Sequence, residues 1–352
     1  MKLTYKIVIL VLTFTCLIIG VLSGMVRLGW NFPLPEVATH HGAIMVGGFL
    51  GSLIALEKII PLKMPFLLVG PISSASSVWI FFAGSFQYAV IMLLFASLIL
   101  VSTLFIYLKR QYTLYMMLAL IGSLCLVTGN ILLAWNKFYP LVFPWWMGFL
   151  VLTIVSERLE LAKFLPVPQS RKMILIAFIA LFGVGIVMPF HSFGRYLTGL
   201  ALIFVSIWLL RYDLVRLTIT KSGLTRYTGI ALACGYIALL LDGIFLIALQ
   251  EMPLGYDIIV HTFFLGFVFA MIFAHGPIIL PGALGLTVKP YHRLFFLPLI
   301  ILFFSLALRI AADTLLLPMS LRYLSGWISA GAILFYFILM AIRTVYALKH
   351  PD

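Results

Sequence analysis

Two histidines, His40 and His41, stand side by side at the mouth of an apolar run, THHGAIMVGGFLGSLIALEK beginning at Thr39. A third, His261, opens a second such run, HTFFLGFVFAMIFAHGPIILPG, which carries His275 towards its far end. A neutral imidazole is the commonest nitrogen ligand for a metal, and in a lipid-facing sequence it is also a frequent hydrogen-bonded packing residue. On a helix, His40 and His41 are about 100° apart, so at most one of them aims at a shared centre. His261 and His275 are fourteen residues apart, ~21 Å of rise and nearly four turns, which puts both on roughly one stripe of an ideal α-helix. Further ionisable residues punctuate the apolar runs: Arg27, Glu57, Glu157, Arg158, Asp242, Arg309 and Asp313. Such groups are expensive in hydrocarbon and usually face a bundle interior, although Arg and Lys near helix ends also reach water by snorkelling.

The elements that must position these groups follow from composition. Of 352 residues, 64% are hydrophobic and 9% charged, with a mean hydropathy of +1.20. A soluble domain has too little interior to hide that apolar fraction. Runs of roughly 20 apolar residues match a hydrocarbon core of about 30 Å, so the expected fold is an all-α, polytopic transmembrane bundle. Apolar windows between Pro, Gly and charges give twelve spans, near 5–27, 36–57, 65–84, 87–108, 112–135, 141–163, 172–190, 195–216, 226–249, 257–280, 293–314 and 321–347. Connections are short, so residues 1–352 read as a single integral membrane domain, with a first span that is not cleaved.

A net charge of +13 suggests nucleic acid until its distribution is read. With the N-terminus in the cytoplasm, only Arg27, Lys137, Arg195, Arg309 and Arg322 fall near the opposite face, and the other Lys and Arg residues lie inside. That is the positive-inside pattern, so both termini are expected in the cytoplasm and no nucleic-acid partner is expected. Cys16, Cys125 and Cys234 are isolated in apolar runs and suggest neither a disulfide framework nor zinc. In this topology His40, His41, His261, Arg27, Asp242, Arg309 and Asp313 converge towards the outer face. Glu57, Glu157, Arg158, Glu160 and His275 gather near the inner one. His191 and Arg195 fall in an outer loop. Gly183/Gly185 and Pro277/Pro281 are places where helices could break, as a secondary transporter's do. Gly42, Gly47, Gly48 and Gly51 favour close helix packing, and their flat surface also suits a planar cofactor.

These residues carry a resemblance. Arg27, a Pro-containing loop and then Thr39-His40-His41-Gly42-Ala43-Ile44-Met45 resemble the span 1–2 region of haem–copper oxidase catalytic subunits, where a histidine at the outer end of span 2 ligates haem opposite a span-10 residue. The matching positions are His41 and His261. The chain lacks the H-x-H pair and the further histidines of the oxidase copper centre, so oxygen reduction is not expected. Closer is the likeness to the NnrS family, twelve-span haem- and copper-containing proteins linked to nitric oxide stress. HHGAIMVGGFLG resembles their span-2 element without its glutamate, and His261-Thr262-Phe263-Phe264-Leu265-Gly266-Phe267 resembles their HAL-x-x-GF element.

The resemblance implies a haem held by His41 and His261, with Arg27 and Arg309 on its propionates. Asp242 or Asp313 would orient a ligand or an arginine. His275 with Glu57 and Glu157, or His40, would be further positions for copper or a proton relay. The expected setting is a bacterial inner membrane, with the lipid bilayer, a gas such as nitric oxide or an electron-transfer protein as partner. Two other function classes fit the same span plan. One is a proton-coupled secondary transporter, whose polar clusters would be coupling sites. The other is a membrane assembly factor without chemistry, which would retain function after His41 and His261 are both replaced.

Overall fold

The computed structural model describes residues 3–165 and 167–350. Among the described residues, twelve helices are long and apolar enough to span a membrane. They are α1 (Leu3–Arg27), α2 (His41–Leu62), α3 (Pro65–Phe82), α4 (Phe86–Arg110), α5 (Leu114–Asn136), α6 (Tyr139–Leu161), α7 (Gln169–Val187), α8 (Phe190–Tyr212), α9 (Gly223–Ala248), α10 (Gly255–Leu284), α11 (Arg293–Thr314) and α12 (Met319–Lys349). The chain is 86% helical and contains no strand among the described residues. This is what a bilayer demands, because a helix satisfies its main-chain polar groups within one segment. The protein is a multi-pass membrane protein.

Compactness divides the chain into two units. The first comprises Met1–Ser156 with Gly282–Leu286, and the second Glu157–Pro281 with Thr287–Asp352. In the first unit, α1 lies against α2 and α3. Thr13 Oγ1 is 2.8 Å from Ser52 Oγ, Cys16 Sγ donates to Ala75 O at 3.1 Å, and Ser74 Oγ donates to Gly47 O at 2.7 Å. The glycines of α2 are filled by protein neighbours. A methyl group on Gly47 would lie 2.7 Å from a Leu93 methyl, and one on Gly48 would lie 3.2 Å from Cys16 Sγ. A void of about 10 Å³ lined by Gly47, Gly51, Ser74, Leu93 and Asn130 has room for roughly one water. The glycine row therefore packs helices and leaves no planar slot.

In the second unit the tightest seam joins α8 to α9. A Cβ on Gly199 would fall 2.5 Å from Gly243 O, and one on Gly243 would fall 2.6 Å from Gly199 O. The obstacle on each side is backbone, which cannot swing away as a side chain can. Gly243→Ala is therefore expected to destabilise the protein by about 1–3 kcal/mol, the usual cost of overpacking, read as a lower unfolding midpoint in detergent. On α9's other flank, a methyl on Gly235 would meet Ala270 Cβ at 3.1 Å, and one on Gly266 would meet Ala238 Cβ at 2.7 Å.

The helices do not break at the two places the sequence allowed. α7 runs through Gly183 and Gly185 to Val187, and α10 continues through Pro277 and Pro281. The irregularity takes another form: π-helical turns at Ile44–Gly51 in α2 and at Thr262–Val268 in α10, and a kink at Ser192, whose φ/ψ of -126°/-111° is non-helical, entering α8. Wide π turns of this kind are rare and concentrate at functional sites. The segment at Thr262–Val268 also lies between His261 and His275, so the 3.6-residue phase used to align them does not run unbroken between the two rings.

Candidate functional site

The densest polar cluster of the second unit sits where α10 begins and α11 passes into α12. Arg309 and Asp313 are one turn apart near the end of α11, and a tight turn through Leu316 (φ 49°) returns the chain into α12, which carries Arg322. Asp257, in the first turn of α10, receives them. Arg309 donates from Nε to Asp257 Oδ2 at 2.8 Å and from Nη2 to Oδ1 at 3.0 Å, a two-pronged charge-assisted contact. Arg322 Nη2 is 3.2 Å from the same Oδ2, and its Nε lies 3.1 Å from Asp313 Oδ1, near enough for an ion pair but out of hydrogen-bonding alignment. Asp313 is only 1% exposed, so this pairing takes place away from water.

One turn along α10, His261 completes the cluster. Its Nδ1 bonds to Asp257 O at 2.9 Å and lies 3.3 Å from Asp257 Oδ1. Both partners are acceptors, so Nδ1 carries the proton and Nε2 is the basic nitrogen. Asp257 and Arg322 were not singled out from sequence. Asp257 had a readable signal, since a carboxylate four residues before a helical histidine shares its face. Arg322 had none, because only the α11–α12 turn brings it to α10.

In the first unit the adjacent histidines have different surroundings. His41 bonds through Nδ1 to Gly20 O on α1 at 2.7 Å, which again puts the proton on Nδ1. Its ring lies flat on α1, where a methyl on Gly24 would come 3.0 Å from Cε1. His40, just before α2, stacks on Phe81 with centroids 4.8 Å apart and approaches the Tyr139 hydroxyl at 3.2 Å. Burial, and then the Lys137 ammonium, hold its pKa below the ordinary imidazole value. Arg27 is exposed at the end of α1.

A second polar group in the second unit surrounds His275. Its Nδ1–H donates to Met271 O at 2.7 Å, and its Nε2 accepts from Arg158 Nη2 at 2.8 Å. Both ring nitrogens are thus engaged, so a metal there would have to displace the guanidinium. In the same unit, Asp213 follows α8 and accepts from Tyr236 Oη at 2.7 Å, both buried. Sequence reading passed over this pair, since a carboxylate three residues from the end of the expected span 195–216 looks like an ordinary interfacial charge. Tyr236→Phe removes the donor and leaves a buried carboxylate oxygen unmet, so a loss of about 1–3 kcal/mol is expected in an unfolding titration. Glu57, in the first unit, pairs with Lys58 at 2.9 Å, and Glu157 is half-buried. Asp242 is completely buried in α9, with neither carboxyl oxygen hydrogen-bonded. Among the described residues, no three His, Cys, Asp or Glu side chains assemble as a metal site.

No curated protein and no solved structure matches the chain. The family model for a domain of unknown function, DUF8744, matches residues 6–345, all but the extreme ends of the sequence. The protein belongs to the DUF8744 family.

Proposed function

We propose that the protein is a haem-binding integral membrane protein with His261 as an axial ligand, in nitric-oxide response or membrane redox chemistry. One observation carries the reading: Asp257 fixes His261 Nδ1–H through its carbonyl and approaches it through its carboxylate, while Arg309 clamps that carboxylate. Histidines that ligate metals commonly have their other nitrogen held in this way, which sets the tautomer and makes Nε2 the better donor. Among the described residues, His261 Nε2 has no hydrogen-bond partner.

The donor set suits haem, which asks the protein for one or two imidazoles rather than a cluster. Arg309 uses two of its five N–H donors on Asp257, leaving others for a propionate. His41, in the first unit, has the same Nδ1-to-carbonyl arrangement. The glycine row of α2 gives no support to a planar cofactor there, because protein side chains fill the surface that a flat ring would need. Copper gains no support from the engaged nitrogens of His275. Haem would supply gas binding or electron transfer. The chain's own part is to fix the ligand tautomer and to surround it with paired charges. The bacterial inner membrane as its location rests on the family resemblance.

The test is an absorption spectrum of the purified chain, before and after incubation with haem. A Soret band is expected. A chain that remains without one after reconstitution overturns the reading.

A second reading, proton-coupled transport, is favoured by the unpartnered Asp242 carboxyl inside α9. Proton-driven uptake into vesicles that fails in Asp242→Asn, with no haem spectrum, would establish it instead.

A further inference from the structure

Most threonines in the spans satisfy their hydroxyls within their own helix. Thr13, Thr103, Thr128, Thr153, Thr314 and Thr344 each donate to the carbonyl four residues back. Thr262 on α10 and Thr198 on α8 break the pattern: both are 0% exposed and neither Oγ1 has a partner. Asp242 is equally buried, and both of its oxygens are unbonded. A single orphaned polar group is a packing defect; two on facing helices, at one level, make a site.

The register of α9 on α10 places them there. Gly235 faces Ala270, and three residues further along α9, Ala238 faces Gly266, four residues earlier on α10. The helices therefore run antiparallel in this seam. One more turn of α9 reaches Asp242, and the matching step back along α10 reaches Thr262, the first residue of the π segment Thr262–Val268. Asp242 lies on the same face of α9 as Gly235 and Ala238 by the 100° rotation per residue.

The electrostatics of the packed elements decide what this pair holds. The charged and imidazole groups on them are Asp257, His261 and His275 on α10, Arg293, Arg309 and Asp313 on α11, and His191, Arg195 and Arg211 on α8. Arg309 is bound to Asp257, and Arg195 to Glu251. None of them bonds to Asp242, so a bare carboxylate at this depth would meet the full desolvation cost of a buried charge. We propose that Asp242 and Thr262 form a proton-binding site, in which the carboxyl carries one exchangeable proton and shares it with the Thr262 hydroxyl across one water. The proposal needs no haem. It supplies the bound ion that the transport reading requires, and it stands if transport fails.

Two measurements test it on the full-length purified protein. The infrared spectrum at neutral pH is expected to contain the carbonyl stretch of a protonated carboxylic acid, shifted in D₂O, absent from Asp242→Asn and displaced in Thr262→Val. Dicyclohexylcarbodiimide, which reacts with protonated carboxyls in apolar surroundings, is expected to label Asp242. In that reaction the acid O–H adds across one C=N bond, its proton passes to nitrogen, and the acyl group then migrates from oxygen to nitrogen. The product is an N-acylurea, heavier by one whole reagent, which peptide mapping locates. Should the variants fail to fold, labelling of the wild-type chain alone decides. Absence of both the band and the label overturns the proposal, and protection of Asp242 by sodium overturns it by making the occupant a sodium ion.

Discussion

His261→Ala is expected to leave the purified protein with no Soret band, whereas Asp257→Asn is expected to retain haem with affinity weakened about 10–100-fold, the usual toll of removing a ligand's hydrogen-bonding support. The difference follows from the geometry. His261 would provide the bonding nitrogen itself. Asp257 orients the ring through a carbonyl that survives the substitution and a carboxylate that does not. Haem titration followed at the Soret maximum checks both. A His261→Ala protein that binds haem as tightly as wild type would remove this residue from the site.

Asp257→Ala is expected to destabilise the protein by about 3–5 kcal/mol, the range for breaking a buried ion pair from one side. The loss exceeds that of an ordinary surface charge, because Arg309 and Arg322 would both be left beside Asp313 with their principal acceptor gone. Their side chains are only 6% and 14% exposed, so water cannot readily take the place of the carboxylate. The double variant Asp257→Leu with Arg309→Met is expected to recover much of the loss, since an apolar pair of similar volume often matches a buried salt bridge. Denaturant unfolding in detergent measures both, and their coupling energy separates the pair from its surroundings. A loss below about 1 kcal/mol would equate the cluster with a screened surface pair.

The number of spans was legible in the sequence because the bilayer imposes a long apolar window on every helix. Their ends were less so. α2 starts at His41 rather than near residue 36, because Pro35–Ala38 forms its own short turn of helix before Thr39 and His40 redirect the chain. α10 extends beyond residue 280 because its two prolines are accommodated within it. Proline in a spanning helix is a weaker stop than in a soluble one, since neighbouring helices can meet the freed carbonyls. The π segments left no trace in hydropathy, as they change hydrogen-bonding partners without changing polarity. Of the site, the histidines and Arg309 stood out as rare polar residues in apolar runs. Asp257, Arg322, Asp213 and Tyr236 acquired meaning only from helix pairing, which no single stretch of sequence encodes.

The backbone-to-backbone seam at Gly199 and Gly243 has a mechanical consequence. With each glycine pressed on the other's carbonyl, α8 and α9 can neither roll nor slide past one another without collision, so they travel as one stiff plank. Shape change in this unit is then left to the helices around the pair, and α10, with its π segment and two prolines, is a compliant strut beside a rigid one.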